Sequence, residues 1–274
     1  MKEVKQVAVV IPFYKSELTE LEVISLKQCL NILSGYPIIA IKPTLLDISY
    51  IQKGFEFSRI HSYTDSYFDG IQGYNSLMLS TEFYDSFMDF EYILIHQLDA
   101  FVFRDELSHW CDKGYDYIGA PWLKRLPNPD FVKEWKTRIN TRYHIFRNTF
   151  ENGLPSDRQF DNQVGNGGFS LRRVKKFRDL TKKYKEKIQE YQTRKEHQFH
   201  EDVFWSIEMN RKWKQLRVPN YQIALLFSFE NRLDQSMMHT KNLIPFGCHA
   251  WDKYLDFWRP YIEAFGYKIG ESKI

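Results

Sequence analysis

An aspartate stands where its neighbours leave least room for a charge. In YILIHQLDAFVF, Tyr92 to Phe103, Asp99 interrupts an apolar run, and a carboxylate there is costly unless a turn's hydrogen bonds or a bound cation compensates it. Three further groups could do chemistry. GNGGF, Gly165 to Phe169, is a turn whose glycines, Gly167 and Gly168 among them, either supply positive φ or let the backbone approach a ligand. HED, His200 to Asp202, puts Glu201 and Asp202 at the start of a helical stretch, where carboxylates suit the helix dipole. His249, between Cys248 and Ala250, is either a packed, hydrogen-bonded histidine or a ligand. Taken singly, each of these has an ordinary structural explanation as turn, cap or core histidine.

Positioning such groups requires a framework. VAVVIPFY, Val7 to Tyr14, is a continuous apolar run ended by Pro12, as in a strand buried on both faces of a parallel sheet. Ser16 is the expected N-cap of a helix in which Leu26, Cys29, Leu30 and Leu33 share a face and Gly35 ends the run. YPIIAIKP supplies a second strand, and the βαβ unit so formed gathers ligands at the carboxyl ends of its strands. A helix from Ile71 to Met88 leads into the strand YILIH, and YDYIGAPW, Tyr115 to Trp122, is another short strand. Leu126 to Phe160 reads as a long irregular segment. VGNGGFSLRR, a basic helix, the helical stretch EDVFWSIEMNRKW, a strand near YQIALLFSF and an aromatic tail with PFGCHAW follow. A site between the two halves is the natural expectation.

With 274 residues, 43% hydrophobic and 17% aromatic, the chain can bury a core as one domain. It shows no signal-peptide pattern and no apolar run of membrane-spanning length. Three irregularly spaced cysteines fit neither a disulfide framework nor a zinc site and suggest a reducing cytoplasm. A net charge of +3 is too small to point to nucleic acid. The basic stretch from Arg172 to Lys195 is either a solvated helix face or a patch for anionic partners such as membrane headgroups.

Taken in order, HQLDAFVF, YDYIGAPW, GNGGFSLR, HEDVFW and PFGCHAW resemble the layout of GT-A glycosyltransferases, and more closely a bacterial and fungal family of formerly uncharacterised domains in that superfamily. The resemblance implies an α/β fold, a single GT-A-type domain over residues 1–274 with a Rossmann-like, mostly parallel central sheet flanked by helices. About 1–125 would form the nucleotide-sugar half and about 126–274 the acceptor side. It implies transfer of a sugar from a nucleotide-sugar donor, a UDP-sugar favoured, to a glycan or glycolipid hydroxyl. A divalent cation, Mn²⁺ or Mg²⁺, would be held by Asp99 and His249 together with phosphate oxygens and water. Gln97-Leu98-Asp99 retains the last acid of the family's Asp-x-Asp motif, with Gln97 in place of the first. The match of HED makes Asp202 the base of an inverting displacement, with Glu201 second. Pro12, Phe13 and Tyr14 follow the strand where such proteins hold the base, although both aromatics equally suit a core. Asp65 and Asn75 are polar candidates there, Gly167 and Gly168 would admit a sugar, and Trp122 offers a stacking face.

Two other classes compete. A nucleotidyltransferase shares the sheet and acidic metal site, but no Gly-rich, Lys-containing phosphate loop follows the first strand. A non-catalytic carbohydrate-binding protein on the same scaffold would also be rich in aromatics. Slow hydrolysis of a nucleotide sugar separates a transferase from a binding protein, and pyrophosphate release would mark a nucleotidyltransferase. The expected location is cytoplasmic, with the Arg172–Lys195 stretch a candidate for peripheral contact at the membrane's inner face.

Overall fold

Alternating burial along the first strand sets the architecture. In β1 (Lys5–Pro12), Val7, Val9 and Ile11 enter one hydrophobic cluster while Ala8 and Val10 enter another, the period of a strand covered on both faces. The computed structural model describes residues 5–125 and 131–270. After β1 come α1 (Glu20–Ile32), β2 (Ile38–Pro43), α2 (Ser49–Gln52), β3 (Arg59–Tyr63), α3 (Gly70–Met78), α4 (Thr81–Asp85) and β4 (Phe90–His96). The middle of the chain forms β5 (Phe101–Val102), α5 (Leu107–Asp112), β6 (Tyr117–Ile118), β7 (Pro121–Trp122), α6 (Phe131–Arg147), β8 (Phe150–Glu151), β9 (Leu154–Pro155), β10 (Gln163–Val164) and β11 (Phe169–Arg173). Then follow α7 (Val174–Lys183), α8 (Lys185–Gln192), α9 (Glu201–Ser206), α10 (Tyr221–Phe227), β12 (Ser228–Phe229), α11 (Leu233–Thr240), β13 (Gly247–Cys248) and α12 (Leu255–Glu263).

Among the described residues the central sheet has six strands in the order β3-β2-β1-β4-β11-β6. Strands β3 to β4 are parallel to one another, whereas β11 runs antiparallel between β4 and β6. The sheet is therefore mixed, with its parallel part in the N-terminal half. Leu77 of α3, Phe83 of α4, Phe177 of α7 and Trp205 of α9 cover one face. Leu26 of α1, Leu107 of α5 and Ala224 of α10 cover the other. A second sheet, β12-β13-β5, packs through Phe101, Phe229 and Cys248 into a cluster with Trp251 and with Trp258 of α12. Because β2 and β4 lie on opposite sides of β1, the winding reverses there and opens a crevice at the carboxyl ends of β1 and β4.

Several local expectations are corrected. The N-cap of α1 is Thr19, not Ser16, because Thr19 and Glu22 form a reciprocal capping box. The helix expected over Ile71–Met88 is two helices, since Ser80 accepts from the Phe83 N–H and restarts the chain as α4. YQIALLF is helix α10, capped by Asn220, with only Ser228–Phe229 extended; a short apolar run does not by itself distinguish the two states. The segment read as irregular holds the 17-residue α6, while its residues 126–130 lie outside the described ones. Cys29, Cys111 and Cys248 are free and buried. No helix among the described residues is long and apolar enough to cross a membrane.

Candidate active site

Two-residue strands bring the polar groups together. The antiparallel pairing of Cys248 with Phe101 sets His249, just past β13, across from the turn that carries Asp99. The parallel pairing of Phe229 with Cys248 sets Glu230, just past β12, beside the same imidazole, and the His249 N–H donates to the Phe229 carbonyl at 2.9 Å. His249 Nε2 lies 3.1 Å from Asp99 Oδ1 and 3.1 Å from Gln97 Oε1. On the other side of the ring, Nδ1 lies 3.2 Å from Glu230 Oε1. Burial alone would lower the pKa of His249, but the Asp99 and Glu230 carboxylates outweigh it and raise the imidazole to about 10. Burial works against the charge on Asp99 and Glu230 too, and the histidine nevertheless holds both below their ordinary range.

Asp99 and His249 are thus adjacent, as sequence reasoning anticipated; Glu230 and Asn166 are additions it did not make. Asn166 takes a left-handed conformation with φ 65°, and its Oδ1 accepts from the Gly168 N–H at 3.0 Å and from the Phe169 N–H at 3.3 Å. Its amide nitrogen lies 3.0 Å from His249 Nδ1. The positive φ in GNGG therefore belongs to Asn166, and the glycines serve a different purpose. A Cβ on Gly167 would stand 1.9 Å from Glu201 Oε1, and one on Gly168 would stand 2.0 Å from His249 Nε2. Two consecutive glycines touch the HED helix on one side and the imidazole on the other.

The HED carboxylates differ in surroundings. Glu201, 2% exposed, accepts from the buried Arg172 guanidinium at 2.8 Å, which also donates to the Tyr84 hydroxyl at 3.1 Å and the Gly167 carbonyl at 3.3 Å. This ion pair occupies Glu201 Oε1, and the burial of Arg172 removes it from any surface patch, which corrects that expectation. Asp202 Oδ1 accepts from the Val203 N–H at 2.9 Å. Burial, with Glu201 and Glu230 nearby, pushes its carboxyl up to about 7. Asp202 lines a cleft of about 500 Å³ whose walls include Trp122, Phe160, His200 and Arg232.

Of the residues considered for the nucleoside, Phe13 is wholly buried, edge-on to Phe57, so it is a core aromatic and cannot stack on a base. Pro12 ends β1 and is itself buried. Tyr14 is 42% exposed, sits edge-on to Phe68 and turns its hydroxyl toward Gln97. Asp65 accepts from the Leu45 N–H at 3.1 Å, joining the loops that follow β2 and β3. Asn75 accepts from the Glu201 N–H at 3.2 Å and so anchors the start of α9.

Among the described residues no three His, Cys, Asp or Glu side chains gather as a metal-binding cluster. The pair Asp99 and His249 fits two adjacent positions of one ion: their 3.1 Å separation is close to the ~3 Å between neighbouring ligands of an octahedral cation bound at about 2.1 Å. Glu230, on the far nitrogen, would fix the ring so that Nε2 faces the ion.

The sheet order, the helices on both faces and a polar crevice at the strand ends are those of the GT-A glycosyltransferase fold. The galactosyltransferase LgtC, solved in complex with donor and acceptor sugar analogs, superposes with a TM-score of 0.56 at 12% identity, covering 96% of this chain and 98% of its own. Mouse xyloside xylosyltransferase 1 in its apo form superposes with a TM-score of 0.50 at 10% identity, covering 89% and 97%. Comparison with curated proteins gives no match. The chain belongs to the family described as protein of unknown function DUF5672, whose model matches residues 57–249. That span takes in Asp99, the GNGG turn, HED and His249.

Proposed function

We propose that this protein is a glycosyltransferase that moves a sugar from a nucleotide-sugar donor, a UDP-sugar favoured, to a hydroxyl of a glycan or glycolipid. The observation that carries the reading is the 3.1 Å pair of Asp99 and His249 at the carboxyl ends of the central strands, linked through Gly167 and Gly168 to the helix that presents Asp202. We read the chain as one domain with the donor side in about 1–125 and the acceptor side in about 126–274.

Asp99 and His249 would hold a divalent cation, Mn²⁺ or Mg²⁺, with the donor diphosphate. When bound, it supplies Lewis-acid stabilisation of the departing nucleoside diphosphate. Glu230, accepting from Nδ1–H, keeps the imidazole in place, and Tyr14 would border the nucleoside side of the crevice. Asp202, ionised, takes the proton of the acceptor hydroxyl as that oxygen attacks the anomeric carbon from the face opposite the leaving group. A single displacement of this kind inverts the anomeric configuration.

A thermal-shift screen of UDP-, GDP-, CMP- and dTDP-sugars with and without Mn²⁺ tests the donor side. One donor should stabilise the protein in a Mn²⁺-dependent way, and Asp99→Ala should abolish that dependence. NMR of the product from an α-linked donor should show a β-linkage. Donor binding indifferent to both Mn²⁺ and Asp99→Ala removes the metal assignment, and a retained configuration removes the single displacement.

A further inference from the structure

Helix α6 buries its polar side and exposes its apolar side. Thr137, Thr141 and Ile145 face the protein, whereas Val132, Trp135, Ile139, Tyr143 and Phe146 are between 46% and 58% exposed. At about 100° per residue these five fall within about 80° of arc, opposite the buried face. Exposed basic residues border the stripe on both sides, Lys136 and Arg147 along one edge, Arg138 and Arg142 along the other. Lys212 lies against the end of the stripe, its ammonium 4.2 Å from the centre of the Phe146 ring, and is followed by Trp213, 80% exposed.

We propose that α6 is a membrane-docking helix that lies in the plane of an anionic phospholipid surface. An aromatic and aliphatic stripe between two rows of Lys and Arg is the chemistry that inserts at the headgroup boundary and is attracted to acidic lipid. A protein partner or a second copy of the chain would have to meet the same two cationic rows. The stretch from Arg172 to Lys195 is a poorer candidate: Arg173, Lys175, Arg178, Lys187 and Arg194 each hold a carboxylate, and Arg172 is buried. Asp161 lines both the Asp202 cleft and the groove beside α6, so the docking helix adjoins that cleft. Vesicle binding requires no turnover, so this inference stands or falls separately from the catalytic reading.

The test is co-flotation of the full chain with vesicles of phosphatidylcholine alone or mixed with phosphatidylglycerol, at low and high salt. Binding should require phosphatidylglycerol and weaken as salt rises, exposed charges being screened over about 8 Å at physiological ionic strength. The double variant Lys136→Glu/Arg147→Glu should bind at least about tenfold more weakly, as each basic residue near such a surface contributes about a factor of five. Trp135→Ser, at an exposed position, should weaken binding while far-UV circular dichroism stays unchanged. Lys176→Glu/Lys182→Glu on α7 should bind as the parent does. Absence of binding, binding lost only in the α7 variant, or a dimer in sedimentation that Trp135→Ser dissociates would each overturn the proposal.

Discussion

At Asp202 one environment pulls stability and chemistry in opposite directions. A carboxyl raised to about 7 is well matched to a general base near neutral pH, so kcat/KM should climb as pH rises through about 7. Asp202→Asn should cut turnover by about 10² to 10⁴ with donor affinity nearly unchanged, since proton removal is realised in the transition state. The placement of the HED carboxylates at a helix start suggested a group fully ionised at neutral pH, but burial beside Glu201 and Glu230 outweighs the helix dipole. The folded state keeps its proton from about pH 4 to about 7 while the unfolded state has released it, so this group's contribution falls over that window and is fully lost above it. Asp202→Asn should therefore stabilise the protein progressively across the same range, by roughly 1–3 kcal/mol at pH 8 once partial solvent screening is allowed for, measurable as paired urea midpoints at pH 5 and 8. Arg172 is the converse case. Arg172→Met leaves Glu201 buried without a counter-charge and should lose about 3–5 kcal/mol, much of it regained when Glu201→Gln is added.

The GNGG turn shows how an element rather than a side chain fixes a site. Gly168→Ala would drive a methyl into the space of His249 Nε2 and Gln97 Oε1; Mn²⁺-dependent donor binding should fall sharply while circular dichroism stays near that of the parent. The motif was legible in the sequence, but the reason for it was not, because the left-handed residue is Asn166 and each glycine answers to a side chain from elsewhere in the chain. Asp99 stood out as a charge in an apolar run, whereas His249 joined it only through the order of the motifs and the resemblance they carry. Glu230 gave no such signal: strands β12 and β13, which bring it to His249, are two residues long, below the length at which alternation can be read. Helix α6 escaped notice for a related reason. Its apolar spacing is regular but faces solvent, and its buried positions, Thr137 and Thr141 among them, are polar.

For the whole molecule, the parallel pairing of β1 with β2 followed from two apolar runs separated by a helix, and the crevice at the strands' carboxyl ends followed from that order, whereas β3, RIHSY, is too polar to have been read as a strand. Ligand binding to such a crevice should report globally: a donor present with Mn²⁺ at about 100 times its dissociation constant adds about 2.7 kcal/mol, a rise of several degrees in the thermal midpoint, which Asp99→Ala should eliminate. The antiparallel insertion of β11 has a consequence for synthesis. Strands β1 to β4 lie within the first 96 residues and can associate as they leave the ribosome, but β4 has β11 as its other neighbour, and Phe169, which pairs with His96, emerges much later. Until then the nascent chain carries a bare apolar strand edge, a template for wrong pairing. Arrival of the late strand ends that exposure and, in the same event, delivers the GNGG turn, so protection against aggregation comes with the cradle into which β12 and β13 later set Glu230 and His249.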